Sequence, residues 1–325
     1  MEVQRMQSSM EVDMGQQIDV VPLTPNLGAE IRGADLGTPM DEDTFRRIHT
    51  ALMEHEVIVF RGQDITAEQQ IAFGKRFGAP TVHPFSPNLS ELPELIVLDN
   101  HKNNPPRLSD VWHSDESFRE EPPMGTILRA VITPELGGDT MFASMTAAFE
   151  GLSDRMQHFI SGLEAVHDFK PFRTLFSGDE ASKKKLREME DMYPNPAHPV
   201  VRVHPVTGRK VLFVNPQFTI TIKGMSEKES RGILDILFHQ AEIPEYQLRH
   251  HWEPHTLAFW DNRSTQHYAV HDYYPQRRRM ERITLKGDRP FGAGSERAPQ
   301  EWTRKEDIVA DEGDGGNQPV RQFER

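Results

Sequence analysis

Apolar residues in this chain fall in short runs, and the spacing changes from run to run. Residues 18–36 give β-like pieces broken at Pro22, Pro25, Gly28 and Gly33. Phe45, Ile48, Leu52 and Met53 then recur at helical spacing behind Asp41-Glu42-Asp43, acidic residues that suit the positive end of a helix. Val57-Ile58-Val59-Phe60 is short, β-branched and stopped by Gly62, which predicts a buried strand. Thr66 and Gln69 form a capping box that opens a second helix, expected to run to Gly78. Residues 95–98 and 126–132 read as strands, the latter followed by a tight turn at Gly137-Gly138-Asp139. Mixed helical patterns fill 153–193, where Lys183-Lys184-Lys185 reads as a solvated helix face. Runs at 200–204 and 210–215 flank Thr207-Gly208 as a hairpin. Ser226 and Glu229 make a second capping box before Ile233, Leu234, Leu237 and Phe238, and strands resume at 246–252, 256–260 and 282–286. The polar, Met-dotted stretch 1–16 and the charged, Gly-rich stretch 294–325 read as tails around one folded domain, 17–293.

Composition narrows the picture. Among 325 residues, 22 Gly and 24 Pro favour a loop-rich β fold over a helix bundle. With 37 Lys and Arg against 50 Asp and Glu, the net charge of −13 repels phosphate backbones and anionic lipid, so neither nucleic acid nor membrane is an expected partner. The absence of cysteine removes disulfides, thiolate zinc sites, Cys-ligated iron–sulfur clusters and Cys nucleophiles, and fits a reducing cytoplasm. No apolar run approaches the ~18 residues of a membrane span.

Candidate chemistry must come from other side chains. There is no G-x-S-x-G elbow, P-loop or G-x-G-x-x-G. Most of the 15 histidines, among them His49, His55, His250 and His251, read as structural or exposed. Trp112-His113-Ser114-Asp115 differs: an imidazole and a carboxylate two apart share one side of an extended segment and can reach one cation. Alone, so short a motif is weak, and a His–Asp hydrogen bond at a strand end explains it as well. Support comes from 259–287, where His267 follows an apolar strand end and a polar turn, and where Arg278 and Arg282 stand four apart, an even spacing that puts both on one strand face. Two inward guanidinium groups imply bound anions, whereas a basic edge strand that resists aggregation is the bland reading. Two His and one carboxylate bound facially leave three positions open on non-haem Fe(II), enough for O₂ and a chelating co-substrate. A zinc hydrolase would more often use three protein ligands and one open position.

These pieces resemble the taurine/α-ketoglutarate dioxygenase family, which includes alkylsulfonate, alkylsulfate and phenoxyalkanoate dioxygenases. The likeness runs over about 17–292. It is carried by Phe60-Arg61-Gly62-Gln63, Trp112-His113-Ser114-Asp115 with Phe118, Pro122-Pro123, Gly137-Gly138-Asp139-Thr140, His198-Pro199-Val200-Val201 and Trp260-Asp261-Asn262-Arg263 through His267. The resemblance implies a mainly β fold with peripheral helices, a double-stranded β-helix (jelly roll). It implies Fe(II) held by His113, Asp115 and His267. It also implies 2-oxoglutarate as co-substrate, its far carboxylate paired with Arg278 and hydrogen-bonded by Thr140, although Thr140 reads equally as a turn-stabilising hydroxyl. His83 and Arg282 match the positions that hold the substrate's anionic head, and His83 otherwise reads as a loop residue fixed by Pro84. The implied reaction couples decarboxylation of 2-oxoglutarate to succinate and CO₂ with hydroxylation of a small anionic organic molecule by O₂. Hydroxylation beside a sulfonate would release sulfite; beside a sulfate ester or ether it would release sulfate or a phenol. A homo-oligomer is the expected assembly. Ser86 and Ser109 stand where taurine enzymes carry Tyr and Asn, which leaves room for a longer or bulkier anion than taurine. A zinc hydrolase, a non-catalytic jelly-roll binding protein and a halogenating or desaturating relative are the competing readings; Asp115 speaks against halogenation.

Overall fold

The fold is set by how the strands share their two faces. The computed structural model describes residues 16–84, 91–176 and 178–295. Ser86 and almost all of both expected tails lie outside these residues. Gln16, expected in a tail, is tied to the fold by bonds to Asp35.

The larger of two facing sheets runs in the order Asp19–Pro22, Ala29–Arg32, Val57–Phe60, Leu257–Asp261, Gly125–Ile132, Arg278–Leu285 and Pro80–Thr81, with Ile96–Asn100 also on Arg278–Leu285. Every pairing is antiparallel except Ala29–Arg32 with Val57–Phe60. The second sheet is Gln247–His250, Thr140–Ser144 and Thr265–Ala269. Side chains alternate along each strand, so one sequence serves two cores. Val57, Val59, Leu128, Ala130, Ala258, Trp260 and Met280 face inward onto Phe142 and Leu248 of the second sheet. Ile58, Phe60, Ile127, Phe259, Ile283 and Leu285 face outward onto Ile48 and Leu52 of helix Glu42–His55 and Ile71 and Phe73 of helix Ala67–Lys75. Two facing, mainly antiparallel sheets with helices outside form the jelly roll expected, and no described helix is long and apolar enough to cross a membrane.

The helix starts agree with their caps: Asp41, Thr66 and Ser226 each accept a bond from the third helical N–H, the last two within full capping boxes. The hairpin at 201–212 and the left-handed Gly137 and Gly138 are also as expected. Three expectations are corrected. The second helix stops at Lys75, because Gly78 is not left-handed and closes only a turn, its N–H bonding to Gly74 O at 3.3 Å. The stretch read as helical holds a strand, Glu164–His167, paired on both sides. The last strand begins at Arg278, four residues before the apolar signal, because Arg278–Arg282 pair with Ile96–Asn100.

That strand is no edge: it is paired on both sides, and its faces carry different charges. Arg278, Met280 and Arg282 alternate with Arg279, Glu281 and Ile283. Glu281 stands opposite Arg129 in the register; both are buried, and their side chains form an ion pair on the helix-facing side. Arg129 also donates to Gln70 Oε1 at 3.2 Å and to Ile65 O. Removing one member strands the other in the core, so Arg129→Ala is expected to cost about 3–5 kcal/mol in urea unfolding, and the double change Arg129→Met with Glu281→Leu distinctly less.

Candidate metal centre and its cavity

The centre is assembled by one strip of antiparallel pairing. Ala269 N–H donates to Ser109 O at 2.8 Å, and His113 and His267 exchange backbone bonds of 3.1 and 2.8 Å, so the two imidazoles stand side by side with ring centroids 4.1 Å apart. The i, i+2 spacing brings Asp115 to the same side. Ser114 faces the other way and donates to Thr265 O at 2.8 Å. Asn262 clamps the Asp115 backbone, accepting from its N–H at 2.6 Å and donating to its carbonyl at 2.9 Å.

Each ligand atom is presented by elimination. Thr126 Oγ1 donates to Asp115 Oδ2 at 2.7 Å, which leaves Oδ1 at 3.8 Å from both His113 Nε2 and His267 Nε2. His113 Nδ1 lies 2.7 Å from Val111 O, so the proton belongs on that nitrogen and Nε2 keeps its lone pair. His267 is held by packing between Trp260 and Phe142, at 4.7 and 6.3 Å between ring centroids. One atom from each of the three residues lies within 4.8 Å of the others. Burial would push the Asp115 carboxyl up, but the Arg282 guanidinium beside it and the Thr126 hydroxyl hold it below the usual carboxylate range. Burial lowers both histidines, His267 strongly, which keeps them neutral as metal ligands must be. Two neutral imidazoles and one anion, all on one side, fit Fe(II) with positions left open.

All seven residues singled out from the sequence line one cavity of about 290 Å³. Arg278 is buried and donates through Nε to Gly138 O at 3.0 Å, with the Trp252 and Tyr273 rings each 5.8 Å from its guanidinium carbon. No carboxylate among the described residues pairs with it. Desolvation lowers its pKa to about 10, which still leaves it a cation, and a buried cation with free donors calls for an anionic ligand. Gly138 permits this approach: its φ is +72°, and a Cβ there would meet Arg278 Cδ at 3.1 Å. Thr140 Oγ1 accepts from Trp252 Nε1 at 2.9 Å, so its hydroxyl proton is free to donate onward. Arg282 Nη2 lies 2.9 Å from Asp115 Oδ1. His83 is buried, its pKa pushed down to about 3 by desolvation and then by Arg282, so it presents a neutral ring. Phe172, Leu175, Phe218 and Leu98 supply apolar wall, and Ser109 is bonded to His271 Nε2 at 3.0 Å. Sequence reasoning missed several polar wall residues, among them Glu116, Gln217, Asn100 and Arg107. Adjacency to Asp115 was the only available signal for Glu116, and Gln217 gave none.

A jelly roll with two His and one Asp at its mouth, and a buried, carboxylate-free Arg in the same cavity, is the build of an Fe(II)- and 2-oxoglutarate-dependent dioxygenase. The model of the family described as "Taurine catabolism dioxygenase TauD, TfdA family" matches residues 19–284. An alkylsulfatase of Acinetobacter baylyi is 37% identical over 283 residues, covering 86% of this chain and 88% of its own. An alpha-ketoglutarate-dependent sulfate ester dioxygenase of Pseudomonas putida is 36% identical over 281 residues, covering 85% of this chain and 92% of its own. The crystal structure of a taurine dioxygenase from Burkholderia xenovorans superposes with a TM-score of 0.73 at 36% identity, covering 85% of this chain and 91% of its own. The chain belongs to the TauD/TfdA family and is a 2-oxoglutarate-dependent dioxygenase.

Because Asn262 fixes Asp115 through two backbone bonds, Asn262→Ala is expected to weaken metal binding about 10–100-fold in competition titration with a chelating dye, a loss of the size seen when supports of metal ligands are removed. A second expectation concerns pH. Burial lowers His198 to about 4 and both His250 and His83 to about 3. The unfolded rings take up protons below about pH 6.5 whereas the folded ones do not, so their stability is fully present above that pH and lost as pH falls toward about 4. Glu56, raised to about 7 by burial, and Glu116, also raised by burial, work in the opposite sense but are outnumbered by the buried histidines, since His167 and His204 are lowered as well. The urea midpoint should therefore drop between about pH 7 and about pH 5, at up to ~1.4 kcal/mol per pH unit for each histidine.

Proposed function

We propose that His113, Asp115 and His267 hold Fe(II), that Arg278 and Thr140 hold 2-oxoglutarate, and that His83 and Arg282 hold the anionic head of the primary substrate. The observation that carries the reading is the meeting, in one cavity, of three buried metal-ligand atoms within 4.8 Å of one another and a buried Arg278 with no carboxylate partner among the described residues. Fe(II) with 2-oxoglutarate and O₂ supplies the oxidising chemistry, which hydroxylates a C–H bond and releases succinate and CO₂.

The chain's own work is positioning. Arg278 suits a terminal carboxylate because its planar fork gives parallel charge-assisted bonds, and the Gly138 bond fixes the fork's orientation. The Thr140 hydroxyl, already accepting from Trp252, donates its proton to the same carboxylate. Arg278 and Arg282 lie on one strand face at an even spacing, so the strand would set the separation between the two anions. Phe172, Leu175 and Phe218 exclude water from the reacting carbon. The substrate proposed is a small organic sulfate ester, sulfonate or carboxylate, which the names of the relatives and the cationic pocket both support.

Anaerobic addition of Fe(II) and 2-oxoglutarate should give a weak visible metal-to-ligand charge-transfer band, and His267→Ala should abolish it. Arg278→Ala is expected to raise the KM for 2-oxoglutarate about 100-fold, as the loss of a charge-assisted pair would. Arg282→Ala should act on the KM of the primary substrate instead. Equal effects of both changes on one ligand would refute this division of roles.

A further inference from the structure

One carboxylate in the cavity wall has no part in the chemistry above. Glu116 directly follows Asp115 with a positive φ of 48°, uncommon for a residue with a Cβ, and it is 2% exposed. Its Oε2 accepts from Arg119 Nε at 2.5 Å; burial pushes the carboxyl up, while the Arg119 and Arg282 guanidinium groups beside it pull toward the ionised form. Its Oε1 is buried without a hydrogen-bond partner among the described residues; His83 Nε2 stands 3.8 Å away, beyond bonding distance. Arg282 Nε and Nη2 are likewise buried without an aligned acceptor, although Nη2 lies near Asp115. A third group in the same cavity, Gln217, donates its amide N–H to Leu108 O at 3.1 Å and leaves its buried Oε1 without a donor.

The cavity thus presents orphaned donors and orphaned acceptors together. A bare sulfate ester or sulfonate offers acceptors only. Set against Arg282 and His83, it would satisfy the cation and leave Glu116 Oε1 unpaired and facing a like charge. Leaving a buried acceptor unmade is the costly case in recognition, because the site then loses its hydrogen bonds to water and gains none.

We infer that Glu116 is a specificity residue that selects substrates bearing an N–H or O–H donor next to the anionic head. This rests on the reading above, in which Arg282 and His83 take the head. The donor then goes to Glu116 Oε1. Because that oxygen and His83 Nε2 are 3.8 Å apart, head and donor belong to neighbouring atoms of the ligand. Gln217 Oε1 adds a second acceptor to the same wall, which an ammonium with three protons can use and a hydroxyl with one cannot.

The test is a matched set of ligands: hexanoate, 2-hydroxyhexanoate, 2-aminohexanoate and hexyl sulfate. Binding to the Fe(II)–2-oxoglutarate enzyme is read without oxygen, by calorimetry and by the shift of the charge-transfer band, and turnover is then read as succinate. The wild type should bind the amino or hydroxy acid at least about tenfold more tightly than hexanoate or hexyl sulfate. If the hydroxy acid wins, the donor is a hydroxyl; if the amino acid wins, an ammonium. Glu116→Gln, which keeps an acceptor for Arg119 but turns a donor toward the head, should erase that preference and tighten hexyl sulfate. Glu116→Ala should erase the preference without that gain. Hexyl sulfate or hexanoate binding as well as the donor-bearing pair in the wild type, or a ratio unchanged in Glu116→Gln, overturns the inference. An intact band in either case leaves the assignment of metal and 2-oxoglutarate standing; a band absent from the wild type itself overturns both.

Discussion

The site depends on a single backbone pairing, the antiparallel bridge between His113 and His267. Those two residues are 154 positions apart in sequence, and nothing local brings them together. Two N–H···O bonds of 3.1 and 2.8 Å fix their register, and a slip of one residue would turn both side chains to the opposite face. Everything else follows from that register. Asp115 arrives two residues on, Asn262 locks its backbone, and Thr126 takes one carboxylate oxygen, leaving the other toward the two imidazoles.

Charge balance is the second constraint. Arg278 and Arg282 project into a cavity whose other charged groups are Asp115, Glu116 and, at its rim, Arg107. Burying guanidinium groups is costly unless anions meet them. Arg282 meets Asp115, whereas Arg278, among the described residues, meets a carbonyl oxygen and two aromatic faces. An overall acidic protein therefore maintains two buried guanidinium groups in one pocket, with unlike surroundings. The strand that carries both is held in the middle of the sheet, with the Arg129–Glu281 pair on its reverse face. A rigid support of this kind is what a reaction needing two ligands at fixed positions requires.

Much of the fold was legible in the sequence because its signals are local. A capping box satisfies N–H groups within one turn, so Thr66 with Gln69 and Ser226 with Glu229 marked helix starts without knowledge of the rest. Val57–Phe60 carried its burial in its composition, and all four residues are buried on both faces. The misses arose where pairing partners, not residues, decide the structure. Glu164–His167 is a strand because Thr219–Ile222 and Ala197–Pro199 flank it, although its own four residues show no β pattern. Arg278 begins a strand for the same reason: a basic run reads as a surface edge until Ile96–Asn100 is laid beside it.

The sequence by itself determined which chemistry was available: no thiol, a His-x-Asp segment, a third histidine, and two arginines at an even spacing that a strand turns to one side. The tertiary structure alone decided that these groups share one cavity, that Arg278 lacks a carboxylate partner among the described residues, and that Glu116 lines the wall beside them. The physical reason is that side-chain direction follows from local backbone geometry, whereas burial and pairing are set by segments distant in sequence, 154 positions in the case of His113 and His267. A carboxylate next to a metal ligand is an ordinary acidic residue until the fold removes its water.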